Sequence, residues 1–465
     1  MTSREQTIEA AARWFDEGNF LAELSRRIAH RTESQEEGRL PQLTAYLSEE
    51  IGPALERLGF SWRLVDNPVA GFGPILLGER QEGADLPTVL SYGHGDVIRG
   101  YEEQWRAGLS PWKIVVEGER WYGRGTADNK GQHSINLAAL GQVLAARGRL
   151  GFNVKLILET GEETGSPGLR AVCERYRDEL KADVFIASDG PRLRAGQPTL
   201  FLGARGAFNF DLTVDLRAGG HHSGNWGGLL ANPGTILAAA IAGMVDGRGR
   251  ILVERLRPPP IPNSVRKALA GIEPGEPGGP EIDPSWGEPT LTPAERVFAW
   301  NSLEVLAFRT GNPERPVNAI PPKASAHMQL RFVVGSEWRN FIPIIREHLD
   351  RHGFAMVAAK PARMEIMAAT RLDPDNPWVE WAVKSVERTT GQRPVVLPSL
   401  GGSLPNDCFA EVLGLPTVWV PHSYPACSQH APDEHLLAPV AREGLLMMTG
   451  LFWDLGERGA VRAST

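Results

Sequence analysis

Two adjacent glutamates, Glu162 and Glu163, form the most distinctive pattern in the sequence. They follow the apolar run 154–158 and lie between Gly161 and Gly165. Short apolar runs predict buried parallel strands, and ligands of open α/β sheets bind beyond the carboxyl ends of such strands. Two neighbouring carboxylates repel each other unless a positive charge is nearby, and a divalent metal ion would supply it. The pattern therefore indicates either a metal site with a proton-transferring glutamate or a solvated acidic turn.

Further candidate metal ligands follow other predicted strands or precede a helix. They are His94 and Asp96 after the strand 86–92, Asp128 before a helix that ends near residue 148, Asp189 at the end of the strand 183–188, and His430 in a polar loop after the strand 416–420. Taken singly, such residues are more often ordinary turn or surface polarity. Together they would give each of two cations one imidazole and one terminal carboxylate, with a further carboxylate bridging the pair.

The segments that carry these residues alternate between predicted strands and helices from about residue 86 to residue 189. Such alternation favours a largely parallel, doubly wound sheet. From about residue 205 the order changes to β-α-β-β-α-β, which is typical of a split βαβ sandwich. We therefore predict an α/β protein in which a doubly wound, mostly parallel catalytic domain (1–204 and 368–465) is interrupted by an inserted α+β domain (205–367).

The composition is that of a soluble globular protein, with 42% apolar and 23% charged residues, and a length of 465 residues favours roughly two domains. The net charge of −7 gives no support for a nucleic-acid partner. Cys173, Cys408 and Cys427 are too few and too scattered for a disulfide framework or a cysteine zinc site. Neither an apolar signal segment nor a run long enough to span a bilayer is present, so we expect a cytoplasmic protein without a membrane partner. A Pro/Gly-rich insert, residues 257–289, matches no motif.

In this order and at these spacings, the motifs resemble the family of co-catalytic dinuclear zinc peptidases and deacylases, and within it the carnosinase-like dipeptidases. The resemblance runs from about residue 88 to residue 437. It is carried by Gly93-His94-Gly95-Asp96, by the segment 125–131 around Asp128, by Glu162-Glu163 and by Ser188-Asp189. It implies two zinc ions per subunit, replaceable by cobalt or manganese, and a cis peptide bond after Asp128.

The resemblance also implies a role for each residue of these motifs. The metal ligands are His94, Asp128, Glu163, Asp189 and His430. Asp128 bridges the two ions, and Asp189 serves the ion that Glu163 does not. Asp96 orients His94, and Glu162 is the general base that takes a proton from water and hands it to the leaving amine. His422 and His435 are alternatives to His430.

The inserted domain and a late loop supply candidates for substrate binding, again through the resemblance. His222, rather than its neighbour His221, matches the histidine that stabilises the tetrahedral oxyanion, which comes from the partner subunit in carnosinase-like enzymes. The positions that match residues holding the substrate's polar groups and carboxylate are Asn318, Arg331, Gly401, Gly402 and Ser403. The ordinary alternatives are a loop histidine bonded to backbone, a solvent-facing strand charge and a flexible turn.

We therefore predict a metal-dependent amidohydrolase that cleaves a dipeptide or an N-acyl amino acid. The resemblance further implies a homodimer formed through the inserted domain, which acts as a lid. The loop 401–403 and the segment around His222 favour a dipeptidase or carboxypeptidase, while an N-acyl amino acid deacylase is the alternative. A third possibility is a non-catalytic relative that only binds amino acids. Such a protein would lack a ligand or the base, and none is missing here.

Overall fold

A computed structural model describes residues 2–276, 279–362 and 366–458 of the chain. The α-helices are α1 (Arg4–Asp16), α2 (Asn19–Ala29), α3 (Leu40–Ala45), α4 (Gly52–Arg57), α5 (Lys130–Arg147), α6 (Leu169–Arg175), α7 (Ser223–Trp226), α8 (Pro233–Met244), α9 (Asn263–Leu269), α10 (Pro293–Phe298), α11 (Phe341–Arg351), α12 (Pro377–Thr390) and α13 (Ala438–Arg458). Two π-helical turns cover Tyr46–Ile51 and Cys408–Val412.

The strands follow the same chain order. They are β1 (Ser61–Val65), β2 (Ile75–Arg80), β3 (Thr88–His94), β4 (Val115–Glu117), β5 (Arg120–Tyr122), β6 (Asn153–Glu159), β7 (Val184–Ala187), β8 (Thr199–Phe201), β9 (Gly206–Asp215), β10 (His221–His222), β11 (Ser302–Thr310), β12 (Ala319–Ile320), β13 (Lys323–Phe332), β14 (Ala358–Pro361), β15 (Val395–Leu397), β16 (Thr417–Trp419) and β17 (His435–Leu437).

The larger sheet has eight strands in the order β1-β2-β6-β3-β7-β16-β8-β15. Its central strands β6, β3, β7 and β16 run parallel, and antiparallel pairs occur only toward its two sides among the described strands. The prediction of a mostly parallel central sheet is confirmed. Because four neighbouring strands point the same way, their carboxyl ends meet at one edge of the sheet.

Helices cover both faces of this sheet, as a doubly wound fold requires. One face packs on α1, α2, α5, α12 and α13, and the other on α6 and the turn Cys408–Val412. The strands are short apolar runs because both of their faces are buried. In β3, for example, every residue after Thr88 is buried.

A second sheet of four antiparallel strands has the order β11-β13-β9-β14. Burial alternates along β9, as expected when one face of a sheet is covered and the other is wet. The helices α8 and α11 cover the buried face. The predicted β-α-β-β-α-β order is present, although its last strand begins at Ala358 rather than near residue 354. The residues before it form a turn, in which Val357 N–H donates to the Phe354 carbonyl at 2.9 Å.

The Pro/Gly-rich insert 257–289 packs against the larger sheet through α9. Val265 and Leu269 of α9 share a hydrophobic cluster with Phe201 and Leu397, which belong to strands of the larger sheet. The side chain of Arg194 also donates to the carbonyls of Glu273 and Gly275, each at 3.1 Å. The domain limits at residues 204/205 and 367/368 stay a prediction. Within the described ranges, no helix has the length and apolarity needed to cross a bilayer.

Candidate active site

The carboxyl ends of the central parallel strands bring the predicted metal ligands together. His94 ends β3, Asp189 lies two residues after β7, Glu163 follows β6, and His430 lies in the loop after β16. Asp128 precedes α5 and completes the set. In the described part of the chain these residues form two groups that could each hold a metal ion, namely His94 with Asp128 and Asp189, and Asp128 with Glu163 and His430.

Asp128 belongs to both groups because its two carboxylate oxygens face different sides. Oδ1 lies 3.0 Å from Nε2 of His94, and Oδ2 lies 3.0 Å from Nε2 of His430. The remaining acids flank these imidazoles. Asp189 Oδ2 is 3.6 Å from His94 Nε2, and Glu163 Oε2 is 3.0 Å from His430 Nε2. One carboxylate thus reaches two donor groups, which is the geometry that a bridging ligand needs.

Glu162 differs from its neighbour Glu163 in where its carboxylate lies. It belongs to neither of the two donor groups, and its closest imidazole contact is His94 Nε2 at 4.0 Å. Its side chain nevertheless lines the cavity above the metal-binding residues. The two glutamates are therefore not equivalent, since both line the cavity but only Glu163 lies within hydrogen-bond distance of a ligand imidazole.

Asp96 orders both the first histidine and the glutamate pair. Its carboxylate lies 3.3 Å from Nδ1 of His94. The same carboxylate accepts hydrogen bonds from the backbone N–H groups of Glu162 at 3.2 Å and of Glu163 at 3.1 Å. A single buried side chain therefore connects the ends of β3 and β6.

The peptide bond between Asp128 and Asn129 is cis, as the resemblance implied. The Asn129 side chain donates to the Ser188 carbonyl at 2.8 Å, and its amide oxygen lies 3.1 Å from Nδ1 of His133. A Cβ on Gly131, in the first turn of α5, would collide with the carbonyl oxygen of Thr126. This close approach explains why glycine follows the lysine in this motif.

Glu434 holds the segment that precedes Asp128. Its buried carboxylate accepts backbone hydrogen bonds from Gly125 at 3.1 Å, Ala127 at 2.9 Å and Asp128 at 3.1 Å. It also pairs with the buried guanidinium of Arg124 at 2.7 Å. The sequence did not predict this contact. The signal that could have indicated it is the spacing, since Glu434 follows His430 by four residues. The contact ties the His430 loop to the Asp128 segment.

The acids of the site have raised pKa values because they are buried close together. Burial and then the charge of Asp189 raise the pKa of Glu162 well above its ordinary value, while His94 opposes the shift. Burial and then the Asp128 charge raise the pKa of Glu163 to about 7 and that of Asp189 to about 6. Such crowding of carboxylates favours a bound cation.

The pKa of Asp128 is lowered and the pKa values of its two histidines are raised, so each of the three shifts favours the charged form. Burial alone would raise the pKa of Asp128, but hydrogen bonds from His430 and His94 bring it below its ordinary value. Burial alone would lower the pKa of His430, but Asp128 and Glu163 raise it to about 11. His94 likewise ends well above its ordinary pKa despite burial, through Asp128 and Asp96. Hydrogen bonds and opposite charge therefore link Asp128 closely to both imidazoles.

The two alternative histidines lie elsewhere. His422 is buried with Nε2 at 3.0 Å from Ser188 Oγ, and His435 Nδ1 lies 2.9 Å from the Asp433 carbonyl. Neither joins a potential metal group within the described residues. Gln429, which sequence reasoning did not single out, donates a side-chain hydrogen bond to Asp128 from the position before His430.

A cavity of about 1150 Å³ opens over the metal-binding residues. Arg331 and the loop 401–403 line the same cavity. Arg331 Nη1 donates to Ser403 Oγ at 2.8 Å, and Ser403 in turn donates to the Arg205 carbonyl at 2.7 Å. Arg205, another residue not predicted, donates from Nε to the Gly401 carbonyl at 2.9 Å. Two guanidinium groups therefore hold this loop, and Arg331 faces the cavity.

His222 and Asn318 lie together but away from this cavity. His222 is on β10, which pairs with β12 directly after Asn318, and Ser223 N–H donates to the Asn318 carbonyl at 2.9 Å. Neither residue is among the described residues that line the cavity, and both are exposed. His221 instead packs edge-on against Trp226 at 6.0 Å. Within one chain, the structure does not bring His222 to the metal-binding residues.

Comparison with known proteins shows which family the chain belongs to. Residues 90–453 match the sequence profile of peptidase family M20/M25/M40. The chain belongs to this family. It is therefore an enzyme of the metal-dependent peptidase type, and the resemblance to the dinuclear zinc peptidases and deacylases is confirmed.

Individual M20/M25/M40 relatives include dipeptidases. The cysteinylglycine-S-conjugate dipeptidase of Corynebacterium striatum is 25% identical over 359 residues, which is 76% of each chain. The Beta-Ala-His dipeptidase of Mus musculus is 33% identical over 215 residues, or 45% of this chain and 43% of that protein. The second match thus spans less than half of the mouse protein.

Solved structures of this family share the fold over almost the whole chain. The dipeptidase Dug1p from Saccharomyces cerevisiae superposes with a TM-score of 0.80 at 20% identity, covering 98% of this chain and 99% of that one. Human carnosine dipeptidase 1 gives a TM-score of 0.75 at 21% identity, covering 97% and 98% of the two chains. These likenesses show the fold, including the second sheet inserted between parts of the first.

Proposed function

We propose that the protein is a dinuclear zinc dipeptidase, which hydrolyses the peptide bond of a dipeptide that has a free carboxylate. The observation that carries the proposal is the pair of donor groups that share Asp128 and line one cavity with Arg331. The names of the relatives from Corynebacterium striatum and Mus musculus favour a dipeptide as substrate. The proposed active site therefore combines a metal-binding edge with a site for an anion.

The residues present suit two zinc ions. Each group offers one imidazole nitrogen and carboxylate oxygens, a mixed set that zinc accepts and that cobalt or manganese would also accept. Asp189 Oδ2 is buried without a hydrogen-bond partner in the described chain, as expected for an oxygen reserved for a cation. His94 and Asp189 would hold one ion and Glu163 and His430 the other, with Asp128 between them. When bound, the ions would supply Lewis acidity toward water and the scissile carbonyl.

Glu162 is the proton carrier of the proposed reaction. Its carboxylate lines the cavity but belongs to neither donor group, so it is available to a water and to the leaving amine. It takes a proton from the attacking water and passes it to the amine as the peptide bond breaks. Asp96 fixes its position, because it accepts the backbone N–H groups of Glu162 and Glu163.

Arg331 and the loop 401–403 bind the substrate carboxylate. Burial lowers the pKa of Arg331, which nevertheless stays cationic at neutral pH. Arg205 behind the loop adds a second positive charge, with a pKa that burial and then the charge of Arg331 lower to about 10. Two nearby cations and the backbone N–H groups of a glycine-rich turn favour an anion at this position.

His222 stabilises the oxyanion from a second subunit. Its Nδ1 accepts the Gly224 N–H at 3.1 Å, so the proton of the neutral ring resides on Nε2, which is left to donate. Since His222 and Asn318 are exposed and do not line the cavity of their own chain, a neighbouring chain is the proposed recipient. The edge strand β11 exposes Val305, Leu306 and Phe308, which supports a homodimer formed through this sheet.

A cytoplasmic location is part of the proposal. All three cysteines are buried and free. Free thiols suit a reducing compartment, because disulfides form mainly in oxidising ones. The location of an epitope-tagged protein by cell fractionation would test this assignment.

The proposed activity is tested with the zinc-loaded protein and a mixed library of dipeptides and N-acyl amino acids, followed by mass spectrometry. We expect free amino acids from dipeptides and little or no release from N-acetyl or N-succinyl amino acids. Faster hydrolysis of the N-acyl compounds would instead favour the deacylase alternative. Absence of hydrolysis across the library would contradict the proposal.

A further inference from the structure

An apolar wall forms one side of the proposed substrate cavity. Val297 and Phe298, at the end of α10, line the cavity together with Leu400 and Leu404. Phe298, Leu400 and Leu404 belong to the hydrophobic cluster that also holds α9 of the insert 257–289, and Val297 packs against that cluster. The wall is therefore part of a packed core and keeps its shape when substrate enters.

This wall directly adjoins the loop that is proposed to bind the substrate carboxylate. A Cβ placed on Gly401 would lie 3.3 Å from Val297 Cγ1 and 3.8 Å from Phe298 Cε1. The side chain of a C-terminal residue branches from the carbon that carries its carboxylate. A carboxylate on the loop 401–403 therefore puts that side chain in the part of the cavity that Val297 and Phe298 line.

Within the cavity, the charged side chain beside the wall and the loop 401–403 is a guanidinium group. A carboxylate, Glu304, lies outside the cavity, where it faces Arg205. Arg331 faces the cavity beside Ser403, and Arg205 donates to the Gly401 carbonyl. The carboxylates that line the cavity belong to the metal-binding edge and Glu162, apart from Glu276 of the insert, which accepts the Ala195 N–H at 3.3 Å. A lysine or arginine side chain would meet like charges here, and an acidic one would have to leave water for an apolar surface.

We infer that the enzyme selects dipeptides whose C-terminal residue has an apolar side chain, such as leucine, methionine or phenylalanine, and that Val297 and Phe298 determine this selectivity. The inference rests on the proposed function, because the carboxylate site sets where the side chain lies. Burial of the side chain against the wall is favourable, whereas glycine leaves the wall uncovered. A C-terminal apolar amino acid is then one of the two products.

Four dipeptides with the same first residue test the selectivity, namely Ala-Leu, Ala-Gly, Ala-Lys and Ala-Asp. We expect kcat/KM for Ala-Leu to exceed that for Ala-Gly by about 10- to 200-fold, the range for filling a small apolar pocket. Equal or faster hydrolysis of Ala-Gly, Ala-Lys or Ala-Asp would overturn the inference while leaving the dipeptidase proposal intact. If none of the four is hydrolysed, the proposed function itself fails.

Substitutions on α10 locate the selectivity on the wall. Val297→Asp should reduce the ratio of kcat/KM for Ala-Leu over Ala-Gly by at least about 10-fold, because a carboxylate replaces an apolar contact. Arg296→Ala is the matched control on the same helix, since that guanidinium donates to the carbonyls of Glu288 and Trp286 outside the cavity. The control should keep the wild-type ratio. A folded Val297→Asp protein with an unchanged ratio would contradict the assignment.

A measurement on the unaltered enzyme covers the case in which Val297→Asp fails to fold. Free leucine should inhibit hydrolysis at a concentration about 10-fold or more below that of free glycine, because only leucine covers the wall. The variant Val297→Thr, which has nearly the same shape but a hydroxyl in place of one methyl group, should narrow this difference. Equal inhibition by leucine and glycine would overturn the inference.

Discussion

Among single residues, the two adjacent glutamates have different surroundings, which suit Glu163 to bind metal and Glu162 to transfer a proton. Glu163 lies 3.0 Å from the imidazole of His430, whereas Glu162 faces the cavity and joins no donor group. Asp96 holds the backbone of both. The difference therefore lies in which groups each carboxylate reaches, although the two residues are adjacent in the chain.

Glu162→Gln should leave the fold and bound zinc unchanged and lower kcat by about 10²- to 10⁴-fold, because an amide cannot accept the proton of water. Glu163→Gln is the paired variant and should chiefly weaken zinc binding. The measurement is kcat together with zinc content by elemental analysis after dialysis. If Glu162→Gln lost zinc while Glu163→Gln kept zinc but lost turnover, the two roles would have to be exchanged.

At the scale of elements, the sequence predicts the metal-binding edge well because its positions follow from strand ends. The runs that become β3 and β6 are apolar since they are buried on both faces, and the polar residues that follow them must collect at a shared edge. The assignment of His430 over His422 and His435 came from the resemblance, since all three lie in or near one loop and periodicity does not separate them.

Other features depend on packing between distant segments and left no local signal. Arg205 contacts the Gly401 carbonyl across 196 positions of sequence. The insert 257–289 has no periodic pattern, and its place against the larger sheet arises from the cluster that α9 shares with β8 and β15. Such contacts become visible only once the chain is folded.

The helix α5 offers a test of how closely an element positions the site. Gly131→Ala should destabilise the protein by about 1–3 kcal/mol and weaken zinc binding, because its Cβ would collide with the Thr126 carbonyl beside Asp128. Gly141→Ala is the matched control in the same helix. Its Cβ would meet only Leu58 Cδ2 at 3.4 Å, so it should stabilise the helix by up to about 1 kcal/mol. Denaturant unfolding measures the change in the free energy of unfolding of each variant, and elemental analysis measures its zinc content. Equal changes in unfolding free energy for the two variants would contradict this explanation.

At the scale of the whole molecule, the proposed active site is complete only in a dimer. The cavity holds the metal-binding edge and the proposed carboxylate site, while His222 and Asn318 are exposed at the separate two-stranded sheet of β10 and β12. The exposed apolar residues of β11 belong to the four-stranded sheet. Two other strands of that sheet, β9 and β13, precede β10 and follow β12 in the chain. A second copy would cover the exposed apolar residues of β11, and its cavity would accept His222 as the oxyanion donor.

Mixing two inactive variants tests that arrangement. His222→Ala should lower kcat by about 10²- to 10³-fold with little change in KM, because the donor acts on charge that develops in the transition state. After subunit exchange with Glu162→Gln, about a quarter of wild-type activity should return, since half of the dimers are mixed and one of their two sites is intact. No recovery after verified exchange would mean that His222 acts within its own chain. A fully active monomer by light scattering would exclude the dimeric site.

Asp128 is proposed to bridge two metal ions at one site, and the zinc content of the purified chain tests this role. After removal of metal with a chelator and reconstitution with excess zinc, elemental analysis should find two zinc ions per chain, because the chain offers two donor groups that share one carboxylate. A content of one zinc ion or none per chain, in protein that is folded by circular dichroism, would contradict the account.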